Sequence, residues 1–132
     1  MYVQRGQFGM ARYRSVDLSS RIEGASPHQL VQILFDELLK AMDAMAAAMA
    51  RRDFGRRGER QARALSILSG LETSLDFEQG GEIASGLAAI YREARRLLIA
   101  AGRDSDAGEL ERARAIIAEI ASAWEDIGTR NR

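Results

Sequence analysis

Residues 26–50, SPHQLVQILFDELLKAMDAMAAAMA, read as one long helix with apolar side chains on more than one side. Ser26 is an N-cap residue, and Pro27 suits the first helical position because its missing N–H is one of the donors left unpaired there. Gln29 completes a capping box, so the start of the helix is fixed. Leu30, Ile33, Leu34, Leu38, Ala41, Met45 and Ala48 recur at helical spacing, while Val31, Phe35, Met42 and Met49 form a second stripe around the same cylinder. A surface helix needs one stripe. Two stripes place this helix centrally among others, or leave one apolar side for something outside the chain.

Downstream the same period returns three times. A second helix is expected over about 58–76, with Ala64, Ile67, Leu68, Leu71 and Leu75 inward and Arg60 and Arg63 outward. Phe77 to Gly81 form a break, because the Gly80-Gly81 pair adds backbone freedom that a helix must give up. A third helix follows over about 82–101, with Ile83, Leu87, Ile90, Tyr91, Ala94, Leu97 and Leu98 inward, Arg95 and Arg96 toward its last turn, and Gly102 as its C-cap. Asp106 and Glu109 make a second capping box and open a fourth helix over about 107–127, striped by Ala113, Ile116, Ile117, Ile120, Trp124 and Ile127.

No segment alternates at period two, and the single proline sits at a helix start. Short loops between helices favour antiparallel neighbours. The expected fold is all-α: an elongated, antiparallel, up-down four-helix bundle over residues 26–128. Residues 1–25 form an N-terminal arm that can close into a short cap helix, and 129–132 form a tail. Within the arm, Tyr13, Val16, Leu18 and Ile22 are apolar anchors suited to a groove.

Composition narrows the function. A chain of 132 residues, 46% apolar and 29% charged, has the balance of one globular domain able to bury a core. Lys+Arg and Asp+Glu stand at 19 each, so the molecule as a whole has no net attraction for nucleic acid or an anionic membrane. The absence of cysteine excludes disulfides, thiol catalysis and thiolate metal sites, and fits a reducing cytoplasm. The N-terminus lacks the apolar core of a signal peptide, and no run approaches the roughly 20 apolar residues of a membrane span. A cytoplasmic protein without membrane insertion is expected.

The residues that carry chemistry in other bundles do not assemble here. A di-iron site needs Glu-x-x-His pairs from two helices, yet His28 is the only histidine and has no Glu three residues before it. No metal, cofactor or enzymatic role is expected. Asp36 and Glu37 are adjacent on a helix and diverge, as a solvated face would have them. Gly80-Gly81 has neither the preceding strand nor the following Lys-Ser/Thr of a phosphate loop. The run Arg51, Arg52, Arg56, Arg57, Arg60 and Arg63 reads first as a solvated loop and helix face, and second as a partner-binding patch. Contact with nucleic-acid phosphates through that run is the alternative function. Trp124 fits a core anchor better than a ligand platform.

What remains is apolar surplus. Met-rich, doubly striped surfaces adapt to irregular apolar partners, and a groove that receives a partner's amphipathic helices is the functional reading beside that of a thick core with a docked tail.

The order of these features resembles the flagellar secretion chaperone family FliS. The similarity starts at Tyr13 with YRSVDLSSRIEGASPHQLVQILFDELL, and it continues through Ala64 and Ile67 and through LDFEQGGEIASGLAAIY (residues 75–91). Arg95-Arg96-Leu97 and the Ala123-Trp124 pair complete it. The resemblance implies an elongated helical bundle that holds the unfolded C-terminal segment of flagellin in the cytoplasm, prevents premature polymerisation and hands the subunit to the flagellar export gate. It further implies that Tyr13, Val16, Leu18 and Ile22 form a movable cover. Leu30, Ile33, Leu34 and Leu38, with Tyr91 on the third helix, would be the flagellin-binding surface. Phe35 and Glu37 stand where Tyr and Gly are common in the family. Monomer and homodimer are both compatible with the sequence.

Overall fold

The computed structural model describes residues 18–130, so Tyr13 and Val16 of the expected cover lie outside the described residues. A short helix α1 covers 18–23. It is followed by α2 (Pro27–Ala50), α3 (Phe54–Thr73), α4 (Phe77–Asp104) and α5 (Ala107–Arg130). The links between the long helices are two or three residues long, which forces each helix to reverse on its predecessor. The helices α2, α3, α4 and α5 pack as a ring, each against the next, with α5 closing on α2. Among the described residues there is no strand.

The central role expected of α2 follows from what it buries. Phe35, Leu38, Met42 and Met45 are sealed together with Leu68 and Leu71 of α3, Tyr91, Leu97 and Leu98 of α4, and Ile117 of α5. Each such side chain contributes about 1.5–3 kcal/mol when fully removed from water. The core seam therefore takes members of both stripes. Two cross-helix ion pairs join the helices: Arg95 to Glu72 at 3.0 Å is half-buried, whereas Arg114 to Asp43 at 2.6 Å lies at the surface and adds little to stability there.

Ser26 caps α2 as expected, its hydroxyl accepting from the Gln29 N–H and the Gln29 side chain accepting from the Ser26 N–H. Other boundaries differ for identifiable reasons. Helix α3 starts at Phe54 because Asp53 caps it, accepting from the Arg56 N–H. Helix α4 starts at Phe77 because Asp76 accepts from the N–H groups of Glu78 and Gln79. The glycine pair does not end it. It puts a kink inside it, with Gly81 at φ 48° and ψ −121°.

Gly102 is not the C-cap of α4; Ser105 holds the left-handed position at φ 50°. Gly102 is buried inside the helix because Gln61 of α3 lies against its Cα while donating from its side chain to the Leu98 carbonyl at 3.1 Å. Asp106 caps α5, accepting from the Gly108 and Glu109 N–H groups, and Glu109 pairs with Arg112. Helix α5 continues to Arg130, beyond its expected end.

Candidate functional site

At the end of the bundle where α2 and α4 begin and α3 and α5 finish, the core opens to the surface. Val31 of α2, Leu75 and Asp76 of the α3–α4 turn, Ile83, Leu87 and Tyr91 of α4 and Trp124 of α5 line a groove of about 290 Å³. The kink makes this opening. Asp76 anchors the first turn of α4, Gly81 redirects the chain, and Ile83 is left 72% exposed on the rim although its spacing had placed it inward. Phe77, in that first turn, is 56% exposed. Apolar side chains held this far into water gain stability when a further apolar surface covers them.

Aromatic rings fix the floor. Trp124 meets Phe35 edge-on at 6.3 Å between centroids, and Phe35 meets Tyr91 at 6.5 Å. His28 stacks on Trp124 at 4.5 Å with the planes 4° apart. The Trp124 indole N–H donates to the His28 carbonyl at 2.9 Å, and the His28 Nε2 donates to the Trp124 carbonyl at 2.8 Å. This ties the first turn of α2 to the last turns of α5. Tyr91 is almost wholly buried, and burial together with the nearby Glu72 charge pushes its hydroxyl up to about 12.

A second opening of about 320 Å³ lies between α1 and α2, lined by Arg21, Gly24, Ala25, Gln29, Gln32, Ile33 and Asp36. Its lining mixes the polar side chains of Arg21, Gln29, Gln32 and Asp36 with the apolar Ala25 and Ile33. Among the described residues no group of three His, Cys, Asp or Glu side chains is placed to hold a metal. No helix among them is long and apolar enough to cross a membrane.

The family described as Flagellar protein FliS matches residues 9–131. The chain belongs to the FliS family. It is 34% identical over 123 residues to the "Flagellar secretion chaperone FliS" of Salmonella typhimurium, covering 92% of this chain and 91% of that one. It is 30% identical over 118 residues to the "Flagellar secretion chaperone FliSB" of Pseudomonas aeruginosa, covering 89% and 94%. To the "Flagellar secretion chaperone FliS" of Vibrio cholerae it is 34% identical over 115 residues, covering 87% and 85%. The names of these relatives describe a flagellar secretion chaperone.

In this FliS chain the residues expected to bind flagellin fall in separate places. Leu38 and Tyr91 are buried in the core, and Tyr91 also faces the groove. Leu34 is half-buried against the core, Leu30 is half-buried, and Ile33 is buried at the cleft beside α1. Of the expected cover, Leu18 is half-buried and Ile22 is 39% exposed. Val31, Leu75, Leu87 and Trp124 were legible as apolar positions but not as groove. The signal was present in the crowding of Leu75, Phe77, Ile83 and Leu87 around the glycine pair, more apolar surface than a helix start can bury.

The arginine run divides as well. Arg57 is half-buried over the Phe54 ring, and Arg63 lies 3.9 Å from Glu37, whereas Arg51, Arg52, Arg56 and Arg60 are exposed.

Proposed function

We propose that this FliS chain is a cytoplasmic export chaperone that binds the disordered C-terminal segment of flagellin, prevents its premature polymerisation and delivers it to the flagellar type III export apparatus. The observation that carries this reading is the open apolar groove of Val31, Leu75, Ile83, Leu87, Tyr91 and Trp124, with Ile83 exposed on its rim. An unfolded segment that becomes helical on packing needs an apolar track in place of its missing neighbours. Ordering the segment costs free energy, so binding draws on many contacts along the bundle, with the half-buried Leu30 and Leu34 of α2 extending the track beyond the groove and the buried Ile33 joining it once the N-terminal segment lifts. The buried Leu38 and Tyr91 act from beneath, as its floor. The N-terminal segment with Tyr13, Val16, Leu18 and Ile22 serves as a cover that yields when flagellin arrives.

The test is complex formation with purified flagellin. A stoichiometric complex is expected, and it should be lost when the flagellin C-terminal segment is removed. Undiminished binding of the truncated flagellin would overturn the proposal.

A further inference from the structure

The opposite end of the bundle, where α2 and α4 finish and α3 begins, holds a third opening of about 280 Å³ lined by Met49, Arg52, Phe54, Arg57 and Ser105. Its chemistry is unlike that of the groove. We propose that it is a docking site for an acidic protein segment, one that places a carboxylate between Arg52 and Arg57 and an aliphatic or aromatic side chain against Met49 and Phe54.

The local charge is one-sided in a molecule that is neutral overall. Six arginines lie between residues 51 and 63 with only Asp53 and Glu59 among them. The carboxylates bordering the pocket are already engaged. Asp53 accepts from the Arg56 N–H, Asp104 is held by the Arg103 guanidinium through two bonds of 3.0 Å, and Asp106 accepts from the Gly108 N–H at 2.9 Å. Arg57 is pre-positioned. Its guanidinium lies 5.4 Å from the centre of the Phe54 ring and donates to the Ser105 hydroxyl at 3.4 Å, while its Nε is buried with no hydrogen-bond partner among the described residues. A carboxylate accepts from a guanidinium fork in two places.

Arg52 supplies the second observation. It follows the C-cap Arg51 of α2 with φ 57°, its N–H donating to the Met49 carbonyl while the Asp53 N–H donates to the Ala48 carbonyl. That paired geometry closes a helix most comfortably with glycine. An arginine there carries backbone strain, and its side chain lines the pocket. Phe54 is 59% exposed beside it, an apolar side chain with the Arg57 guanidinium over its ring.

A peptide suits this site better than a nucleic acid. The opening is compact, and its one aromatic face is already covered by Arg57, so no base can stack on it. Because the apolar groove lies at the other end, this docking leaves the proposed flagellin surface open.

The test uses the full chain and a labelled peptide alternating Asp and Glu with Leu and Phe, followed by fluorescence anisotropy. Saturable binding is expected, weakened about tenfold or more in Arg52→Gly, since a charge-assisted hydrogen bond contributes that much. Arg52→Gly relieves the strained position, so its Tm should equal or exceed the parent value and lost binding cannot be lost folding. Arg57→Gln serves as the second variant and should show the same weakening. Absence of saturable binding, equal binding of the Asn/Gln version of the peptide, unchanged affinity in both variants, or tighter binding of a single-stranded DNA of matching charge would each overturn the proposal.

Discussion

His28 and Trp124 hold each other through two reciprocal hydrogen bonds and a parallel ring stack, across 96 residues of sequence. Each ring donates to the other residue's backbone carbonyl, so the pair joins the start of α2 to the end of α5 whichever chain segment moves. Gly128 belongs to the same arrangement, since a Cβ at that position would collide with the His28 imidazole. Replacing His28 by Ala or Trp124 by Phe should each cost about 1–2 kcal/mol, from one hydrogen bond and part of the stack. In a double-mutant cycle by urea unfolding the two costs should fall short of additivity by about 1 kcal/mol. Strict additivity would mean that the contact is incidental.

Ile83 separates stability from binding. At 72% exposure it has little to lose in the free protein, so Ile83→Ser should change unfolding free energy by no more than about 0.5 kcal/mol. If the groove receives flagellin, the same change should weaken the complex about five- to tenfold, the equivalent of burying part of an aliphatic side chain. Titration calorimetry with the flagellin C-terminal segment reads it directly. Leu38→Ala is the contrasting variant: as a core residue it should cost about 2–5 kcal/mol in stability, so its effect on binding has to be separated from loss of fold.

The proposed cover predicts a change in surface rather than in fold. Deleting residues 1–22 should leave the circular dichroism of the long helices intact and raise binding of an apolar fluorescent dye, because apolar surface is uncovered. Unchanged dye binding would show that the segment shields nothing.

What the sequence made legible was the periodic part. Ser26-Pro27-Gln29 and the stripes through Leu68, Leu97 and Ile117 led to the helices and their inner faces, because those depend on local capping and a repeat near four. The groove was harder to see, because it arises where the repeat is broken. Ile83 keeps helical spacing with Leu87, but the kink at Gly81 turns it outward, and periodicity carries no information about such a turn. The start of α4 was readable in principle, since Asp76 precedes Gln79 by three residues, as in a capping box. The glycine pair beside it masks that cap, because two adjacent glycines carry the sequence signature of a break. Gly102 misled for the opposite reason: a glycine chosen for close approach to Gln61 looks, in one dimension, like a helix stop.

Two glycines of α4 should respond to alanine in opposite directions. Gly81 stands at φ 48° and ψ −121°, a conformation that side chains resist, so Gly81→Ala should cost at least about 1–2 kcal/mol even though its surroundings are open. Gly86 is helical and exposed with nothing nearby, and Gly86→Ala should gain roughly 0.5–1 kcal/mol. Urea midpoints moving in the same direction would refute the kink as the source of the difference.

Tyr91 sets an alkaline limit on stability. Its hydroxyl is pushed from the ordinary 10.0 up to about 12, chiefly by burial and secondarily by the Glu72 charge. Below pH 10 both folded and unfolded chains keep the proton, and this residue adds no pH dependence. Between pH 10 and 12 the unfolded chain releases it while the folded chain retains it, so the unfolded state binds fewer protons and stability falls as pH rises. The slope is about 1.4 kcal/mol per pH unit, and about 2–3 kcal/mol is lost across the window. Tyr91→Phe cannot ionise, so the difference in unfolding free energy between parent and variant should be constant below about pH 10 and should shift in the variant's favour above it. Urea unfolding of both proteins on either side of that pH checks the sign. Parallel stability curves throughout would mean that the Tyr91 hydroxyl titrates as freely in the bundle as in the unfolded chain.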